Sequence, residues 1–170
     1  MMIDYYQTIR ELNIVGRFNT PEEFEKIGLP KDLTDWSVLD IGCNIGAYML
    51  ECYKRGARRV DGVEPNLEWR LLAHGVLIES GLTEPHVYSL YKNIHEPEWA
   101  RDLVLLLSVT HVVEGITGQE ILDRAWTLTK KLLIVEINDR LQKEEIKLPE
   151  GAVFFGKSKD NRSVWHIWKK

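Results

Sequence analysis

The sequence has 170 residues, which is long enough for one well-buried core and short for two ordinary domains. Hydrophobic residues make up 44% of the chain and charged residues 28%, a balance that excludes a largely disordered protein. The net charge of −4 argues against a protein that coats nucleic acid, because such proteins carry a basic excess. We expect a single domain over 1–170, with an N-terminal segment at 1–35 and a core at 36–170.

The chain carries no sequence sign of export, disulfide chemistry or a membrane span. Its two cysteines, Cys43 and Cys52, form neither a disulfide framework nor a C-x-x-C metal motif, so we expect no metal site. The longest apolar run, Leu103 to Leu107, is far too short for a bilayer. These observations predict a cytoplasmic protein with no membrane partner.

Two basic clusters are interpreted as solvent-facing. One comprises Lys54, Arg55, Arg58 and Arg59, and the other comprises Lys157, Lys159, Arg162, Lys169 and Lys170.

Two helical patterns precede the core. The first runs from Asp4 to Leu12. The second begins at Thr20, which is a good capping residue, and Pro21 suits the first helical position. Glu22 and Glu23 then face the positive end of the helix dipole. This second helix is predicted to stop at Gly28, so that 1–35 forms a helical segment ahead of the core.

From Ser37 onward, short apolar runs alternate with helical stretches, which is typical of a parallel α/β sheet covered on both faces. Strands are predicted at Val38 to Ile41, Arg59 to Val63, His86 to Leu90, Leu103 to Leu107, and Leu132 to Ile137. Helices are predicted at Ala47 to Arg55, Leu67 to Ser80 and Gly118 to Thr129, with a short turn at Pro97 to Ala100. Two final strand-like runs, Ala152 to Phe155 and Val164 to Trp168, lack a crossover helix and therefore predict an antiparallel hairpin. The fold class is a doubly wound, mostly parallel seven-stranded α/β sheet.

The stretch from Val38 to Gly46 reads as a strand that enters a glycine turn and then a helix. Such a turn brings backbone and a helix N-terminus against a ligand, because glycine has no Cβ in the way. A dinucleotide fingerprint requires G-x-G-x-x-G, and here Asn44 stands where the second glycine would be. The stretch therefore predicts a cofactor site and disfavours NAD.

Several segments in the same order resemble the class I S-adenosylmethionine-dependent methyltransferases. The run Val38-Leu39-Asp40-Ile41-Gly42-Cys43-Asn44-Ile45-Gly46 resembles motif I of that family, and Gly62-Val63-Glu64-Pro65-Asn66 resembles its second motif. The segment Arg101 to His111 is similar to the fourth strand and its loop, and the closing hairpin is similar to the last two strands. The resemblance covers about Ser37 to Lys170. It implies that 36–170 is a cofactor-binding core with a Rossmann-like fold.

The resemblance assigns cofactor contacts to the ends of the first two strands. Asp40 is expected to accept from the ammonium of the methionine part, and Glu64 to hold both ribose hydroxyls. Gly42 and Gly46 allow a close loop, and Asn44 tolerates the unusual dihedral angles of the missing glycine. Cys43, Pro65 and Ser108 are included as neighbouring cofactor-binding residues. The alternatives are a turn-capping aspartate at Asp40 and a surface glutamate at Glu64.

The adenine contacts depart from the family pattern. The family often places an acidic residue just after the third strand, and the segment Ser89 to Ile94 contains none. Asn93 is expected to accept from the adenine amino group through its side-chain carbonyl, and Leu90 or Tyr91 to pack on the ring. Ordinary loop packing is the alternative for both assignments.

On the acceptor side, His111 follows the fourth strand and is the candidate catalytic residue. A neutral imidazole can take a proton from an attacking oxygen or nitrogen, whereas the alternative is a histidine that only packs or caps. The amino-group acceptor signature Asp/Asn-Pro-Pro-Tyr/Phe is absent after this strand, where Ser108-Val109-Thr110-His111 stands. That absence argues against an adenine-N6 or glutamine methyltransferase of this type.

The N-terminal run Tyr5-Tyr6-Gln7-Thr8-Ile9 has a short resemblance to the group that includes the enzymes carboxymethylating wobble uridines in tRNA. It suggests that Tyr5, Tyr6 and Gln7 lie over the cofactor as a lid, with Tyr6 and Gln7 among the cofactor-binding residues. An amphipathic helix packed on the sheet is the alternative. Few residues separate the fifth strand from the closing hairpin, which predicts an open pocket. An open pocket suits a large methyl acceptor, such as RNA or another macromolecule, or a homodimer.

The sequence thus predicts an enzyme that binds S-adenosylmethionine and transfers its methyl group to an unidentified acceptor, leaving S-adenosylhomocysteine. Two alternatives stay open. One is different chemistry on the same cofactor, namely carboxymethyl transfer or cleavage of the sulfonium. The other is a catalytically silent methyltransferase-like subunit that acts by binding.

Overall fold

A computed structural model describes residues 5–83, 85–88, 97–110, 115–141 and 145–170. Its centre is a seven-stranded sheet in the order β3-β2-β1-β4-β5-β7-β6. The strands are β1 (Ser37–Ile41), β2 (Arg59–Val63), β3 (His86–Tyr88), β4 (Arg101–Leu107), β5 (Thr129–Ile137), β6 (Val153–Lys157) and β7 (Ser163–Trp168). β1 to β5 pair in parallel, and β7 pairs antiparallel with both β5 and β6. The predicted fold class and the closing antiparallel hairpin are confirmed.

The central strands form because their sequences are continuous apolar runs that can be buried on both faces. Every residue of β1 is buried, and so are the residues of β4 up to Leu106. The pairing of Asp40 with Gly62 of β2 and with Leu105 of β4 sets the register of the middle of the sheet. This register brings the carboxyl ends of β1, β2, β4 and β5 to one edge.

Within the described ranges, four α-helices accompany the sheet: α1 (Thr20–Lys26), α2 (Ala47–Lys54), α3 (Leu67–Glu79) and α4 (Gly118–Leu128). Local caps set several of their ends. Asn66 caps α3 by accepting from the Trp69 amide at 3.1 Å. Thr117 and Glu120 form a capping box at the start of α4. In the described part of the chain, every helix is too short or too polar to cross a bilayer.

The hydrophobic core lies in two layers, one on each face of the sheet. One layer joins α1, α2 and α3 to side chains such as Val38, Leu105 and Ile134. The other joins α4 to the alternate side chains, such as Leu39, Val104 and Val135. Since side chains alternate along a strand, Asp40 lies on the α2 face of β1. Asp40 is therefore a buried carboxyl group within a largely apolar layer.

The N-terminal segment differs from its prediction. Over residues 5–12 only a 3₁₀ turn at Arg10–Leu12 is helical, so the predicted helix from Asp4 to Leu12 is wrong over residues 5–9. Residues 5–9, called the N-terminal strap below, are extended and bond to the segment that follows. The Tyr5 carbonyl accepts from the Arg17 amide at 2.9 Å, and the Ile9 and Ile14 amides exchange hydrogen bonds with the opposite carbonyls. These partners are remote in sequence, which is why helical spacing misled the prediction.

Element boundaries differ by one to three residues elsewhere. Thr20 is the first residue of α1 and not its cap, and its hydroxyl accepts from the Thr8 amide at 3.0 Å. α1 ends before Gly28, which has a positive φ of 65°, as predicted. α4 ends at Leu128 and β5 begins directly at Thr129, three residues earlier than expected. β3 is described as far as Tyr88, so the predicted end at Leu90 lies outside the described residues.

Candidate cofactor site

The candidate site lies at the carboxyl edge of the sheet, beside the point where strand order reverses. The chain moves from β1 outward to β2 and β3, and then returns to place β4 on the other side of β1. In open α/β sheets, ligands bind in the crevice at this switch point. The glycine loop that follows β1 is therefore at the expected place for a ligand.

The glycine loop, residues 42–46, depends on three residues with positive φ. Gly42 and Gly46 have φ of 85° and 83°, and Asn44 has φ of 52°. The prediction that Asn44 adopts a glycine-like conformation is confirmed. The amides of Gly42 and Cys43 both donate to the Val63 carbonyl, at 2.8 and 3.1 Å. These two amides are therefore already bonded inside the protein.

Cys43 supports this loop from within the core. Its thiol is buried and packs toward Gly62 of β2, where an added Cβ would come within 2.8 Å of the Cys43 sulfur and closer still to the Met49 sulfur. Burial raises the pKa of the Cys43 thiol well above its ordinary value. The geometry gives Cys43 a packing role, and its predicted cofactor contact stays a prediction. Gly62 was not singled out from the sequence, although it lies inside the second motif.

Glu64 connects the glycine loop to α3. One carboxylate oxygen accepts from the Asn44 amide at 3.0 Å, and the other accepts from the Asn66 amide at 2.9 Å. The group is 7% exposed, and burial raises its pKa although the two amides oppose that rise. Each oxygen has a second lone pair, so the carboxylate can still accept from two hydroxyl groups. Pro65, the next residue, is exposed.

Asp40 is the most unusual group of the site. It is 2% exposed, and its Oδ2 atom has no hydrogen-bond partner among the described residues. Burial, and then the charge of Glu64, raise the pKa of Asp40 to about 7. A buried carboxylate without a cation is costly, so a ligand ammonium placed here would remove an existing penalty. The site therefore fits the cationic amino group of S-adenosylmethionine.

A second polar cluster lies at the ends of β4, β5 and the closing hairpin. Arg162 is 6% exposed, and its Nη1 atom donates to Tyr6 Oη at 2.8 Å, to Ser108 Oγ at 2.5 Å and to Glu136 at 3.1 Å. Ser108 also donates to Glu136, and Ser158 donates to the other Glu136 oxygen at 2.6 Å. Ser108 has a positive φ of 59°, a conformation that is strained for a residue with a side chain.

The N-terminal strap joins both clusters. The Gln7 side chain is buried and accepts from the Ala47 amide at 3.1 Å, so it caps the first turn of α2. The Tyr6 ring packs against Phe18 at 4.7 Å, and the Lys159 ammonium lies 4.4 Å from the Tyr6 ring centroid. Tyr6 and Gln7 thus lie beside the glycine loop and the hairpin, although their predicted contact with the cofactor stays a prediction.

Three of the predicted site residues, Tyr91, Asn93 and His111, lie outside the described residues. The adenine contacts and the catalytic base therefore remain predictions. Ser108 lies at the expected edge, and its hydroxyl bonds to Arg162 and Glu136. Among the residues that the structure describes, no group of His, Cys, Asp and Glu side chains has the arrangement of a metal site.

Sequence reasoning missed Tyr48, Glu136 and Arg162. Glu136 carried a signal, because it is a lone acid inside the apolar run Leu132 to Ile137. Arg162 was interpreted as part of a solvent-facing basic cluster, and that interpretation is wrong because Arg162 is buried and paired with Glu136. Tyr48 carried no signal, since an aromatic residue in an amphipathic helix usually belongs to the core.

Neither a family model nor a curated protein sequence matches the chain. Several solved structures, in contrast, are similar to this chain in fold. WbdD, described as a bifunctional kinase-methyltransferase, superposes with a TM-score of 0.74 at 19% identity, over 98% of this chain and 45% of that one. The present chain therefore spans less than half of WbdD.

Two further similar structures are comparable in length to this chain. Magnesium protoporphyrin IX methyltransferase from Synechocystis PCC 6803, solved with bound S-adenosylmethionine, gives a TM-score of 0.69 at 12% identity, over 95% of this chain and 89% of that one. The putative methyltransferase YhhF from Escherichia coli gives 0.68 at 13% identity, over 88% and 86%. At these identities the likeness shows the fold alone, which is the fold that these solved methyltransferase structures share.

Proposed function

We propose that this protein is an S-adenosylmethionine-dependent methyltransferase whose cofactor lies against the glycine loop. The observation that carries the proposal is the pair of buried carboxyl groups on either side of this loop. Asp40 has an oxygen without a hydrogen-bond partner in the described part of the chain and a pKa raised to about 7, and Glu64 is fixed by two backbone amides. The two groups match the ammonium and the ribose hydroxyls of the cofactor.

The chain's residues bind and orient in this proposal. When bound, S-adenosylmethionine supplies an electrophilic methyl group on its sulfonium, so the protein mainly has to align the acceptor with it. Asp40 and Glu64 fix the two ends of the cofactor, and the Gln7 side chain keeps the strap beside the start of α2. His111 is proposed as the group that removes a proton from the acceptor.

Isothermal titration with S-adenosylmethionine and S-adenosylhomocysteine tests the cofactor assignment. We expect both to bind, and we expect Asp40→Asn and Glu64→Gln each to weaken binding about tenfold or more, because a hydrogen bond to a charged group contributes about 1.5–3 kcal/mol. Glu79→Gln is the matched control, since Glu79 is an exposed acid at the far end of α3. Absence of heat with either ligand, in protein whose circular dichroism is that of a folded chain, would reject the proposal.

The acceptor is proposed to be large, such as RNA or another macromolecule. Only residues 138–152 separate β5 from β6, which is too short a connection to form a cap that encloses a small acceptor. Transfer of a labelled methyl group from S-adenosylmethionine to pooled RNA, protein and small-molecule fractions tests this point. Mass spectrometry of the labelled product separates methyl transfer from carboxymethyl transfer. Cofactor binding without transfer to any fraction would favour the silent binding subunit. Light scattering tests the proposed homodimer.

A further inference from the structure

Unpartnered buried polar atoms mark one region of this molecule. Among the described residues, they are Asp40 Oδ2, Asn44 Oδ1, Tyr48 Oη and Arg162 Nε. Leaving such a group unpaired is costly, and folded proteins retain few of them. Asp40 and Asn44 belong to the glycine-loop half of the proposed site. Tyr48 and Arg162 lie on its other side, and methyl transfer as proposed above assigns them no role.

Arg162 offers one free edge of its guanidinium. Its Nη1 atom already donates to Tyr6, Ser108 and Glu136. Among the residues that the structure describes, its Nη2 atom has only a long contact of 3.4 Å with Asp160, whose side chain is 54% exposed. Nε has no partner among the described residues. The Nε–Nη2 edge is the fork that binds a carboxylate with two parallel hydrogen bonds.

Tyr48 lies near enough to Asp40, and to Glu136, the partner of Arg162, for the charges of both carboxyl groups to act on its hydroxyl group. It is the second residue of α2, and the Ala47 amide before it bonds to Gln7, the neighbour of Tyr6. Asp40 on β1 and Glu136 on β5 lie on the same face of the sheet, because β4 pairs with both strands in the register Leu105 to Asp40 and Leu107 to Glu136. Burial, and then the charge of Glu136, raise the pKa of Tyr48, with smaller contributions from Glu23, Asp40 and Tyr6. The phenol therefore stays a neutral donor between the two clusters.

An unpaired acid and an unpaired guanidinium edge in one buried site are complementary to a zwitterion. Resting on the proposed function, we propose that the Nε–Nη2 edge of Arg162 and the Tyr48 hydroxyl bind the α-carboxylate of the cofactor's methionine part, opposite the ammonium at Asp40. The ligand class of this subsite is an α-amino acid. Glu136 accepts a hydrogen bond from the Nη1 atom of Arg162, and the ligand carboxylate accepts from its Nε and Nη2 atoms.

The test compares three ligands by isothermal titration. S-Adenosylhomocysteine carries both charged groups, its decarboxylated analogue keeps the amine only, and 5′-methylthioadenosine has neither. For the parent protein, loss of the carboxylate should weaken binding about tenfold or more, the effect of one or two charge-assisted hydrogen bonds. In Arg162→Gln, S-adenosylhomocysteine should bind about as weakly as its decarboxylated analogue, whose own affinity should change less than about threefold.

Two other variants separate a ligand contact from a structural role. Tyr48→Phe keeps the ring and should weaken the binding of S-adenosylhomocysteine but not of the two ligands without a carboxylate. This variant therefore tests the subsite even if Arg162→Gln does not fold. Lys159→Gln removes a positive charge from the same hairpin turn and should leave the ratio between the ligands unchanged. An equal loss for all three ligands in both the Arg162 and Tyr48 variants, or an unchanged ratio, would overturn the subsite. If no ligand binds the folded parent, the proposed function fails instead.

Discussion

At the scale of single residues, Asp40 stands out because its environment disfavours its charge. The pKa of Asp40 is about 7 in the folded chain, against an ordinary value of 3.8. Burial is the main cause, and Glu64 is the second. The folded protein therefore holds a proton on Asp40 that the unfolded chain releases between these two pH values.

This residue makes stability without ligand depend on pH. Because the folded state binds more protons than the unfolded state, the free energy of unfolding should fall as pH rises from about 4 to about 7, by up to about 1.4 kcal/mol per unit. Asp40→Asn removes this dependence. Urea unfolding of both proteins at several pH values measures this effect. From about pH 4 to about pH 7, the free energy of unfolding of the parent should fall relative to that of the variant. Parallel curves for parent and variant would show that Asp40 ionises normally.

At the scale of elements, β2 and the glycine loop form one unit through Gly62. The backbone of β2 passes so close to Cys43 and Met49 that a side chain at this position would displace both sulfur atoms. The Val63 carbonyl then receives the Gly42 and Cys43 amides. A change inside β2 should therefore reach the loop that follows β1.

Gly62→Ala tests this coupling. We expect it to destabilise the protein by about 1–3 kcal/mol, the usual effect of overpacking a core, and to weaken S-adenosylhomocysteine binding. Gly75→Ala is the matched control, since a Cβ added at this helical position in α3 would meet nothing within 4 Å. That change should stabilise the protein by about 0.5–1 kcal/mol. Urea denaturation measures both, and equal effects of the two changes would contradict this packing.

The sequence predicted those elements whose stabilising contacts are local or periodic. The apolar run of β1, the glycine at the end of α1 and the acid that ends β2 all carry their structural reason in neighbouring residues. The strap did not, because its hydrogen bonds go to Arg17, Phe18 and Thr20. Arg162 was misread for the same reason, since Glu136 and Tyr6 approach it only in the folded chain.

At the scale of the whole molecule, the N-terminal strap and the turn of the closing hairpin converge on the candidate site. Tyr6 of the strap bonds to Arg162, and Glu23 of α1 accepts from the Lys159 amide at 2.8 Å. Cys43 and Cys52 belong to the single core layer beneath these contacts. Burial raises the pKa of both thiols well above its ordinary value. Their reaction with a thiol reagent therefore requires this layer to open.

We expect the two thiols to react at similar, slow rates in the variants Cys43→Ala and Cys52→Ala, each of which retains one of them. Ligand at about 100 times its Kd should slow both by about a hundredfold, because it stabilises the folded state by about 2.7 kcal/mol. Absorbance of the released thiolate follows each reaction. Faster reaction of Cys43 than of Cys52, with protection by ligand confined to Cys43, would mean that the glycine loop opens on its own.

The position of β7 constrains the order in which the sheet can form during synthesis. β7 lies between β5 and β6 and is the partner through which β6 joins the sheet. During synthesis β6 leaves the ribosome first, yet it has no place in the sheet until the residues of β7 have followed. Arg162 immediately precedes β7, so the nascent chain completes the candidate site and the sheet in the same late step. Until then, β5 remains an open edge available to other chains.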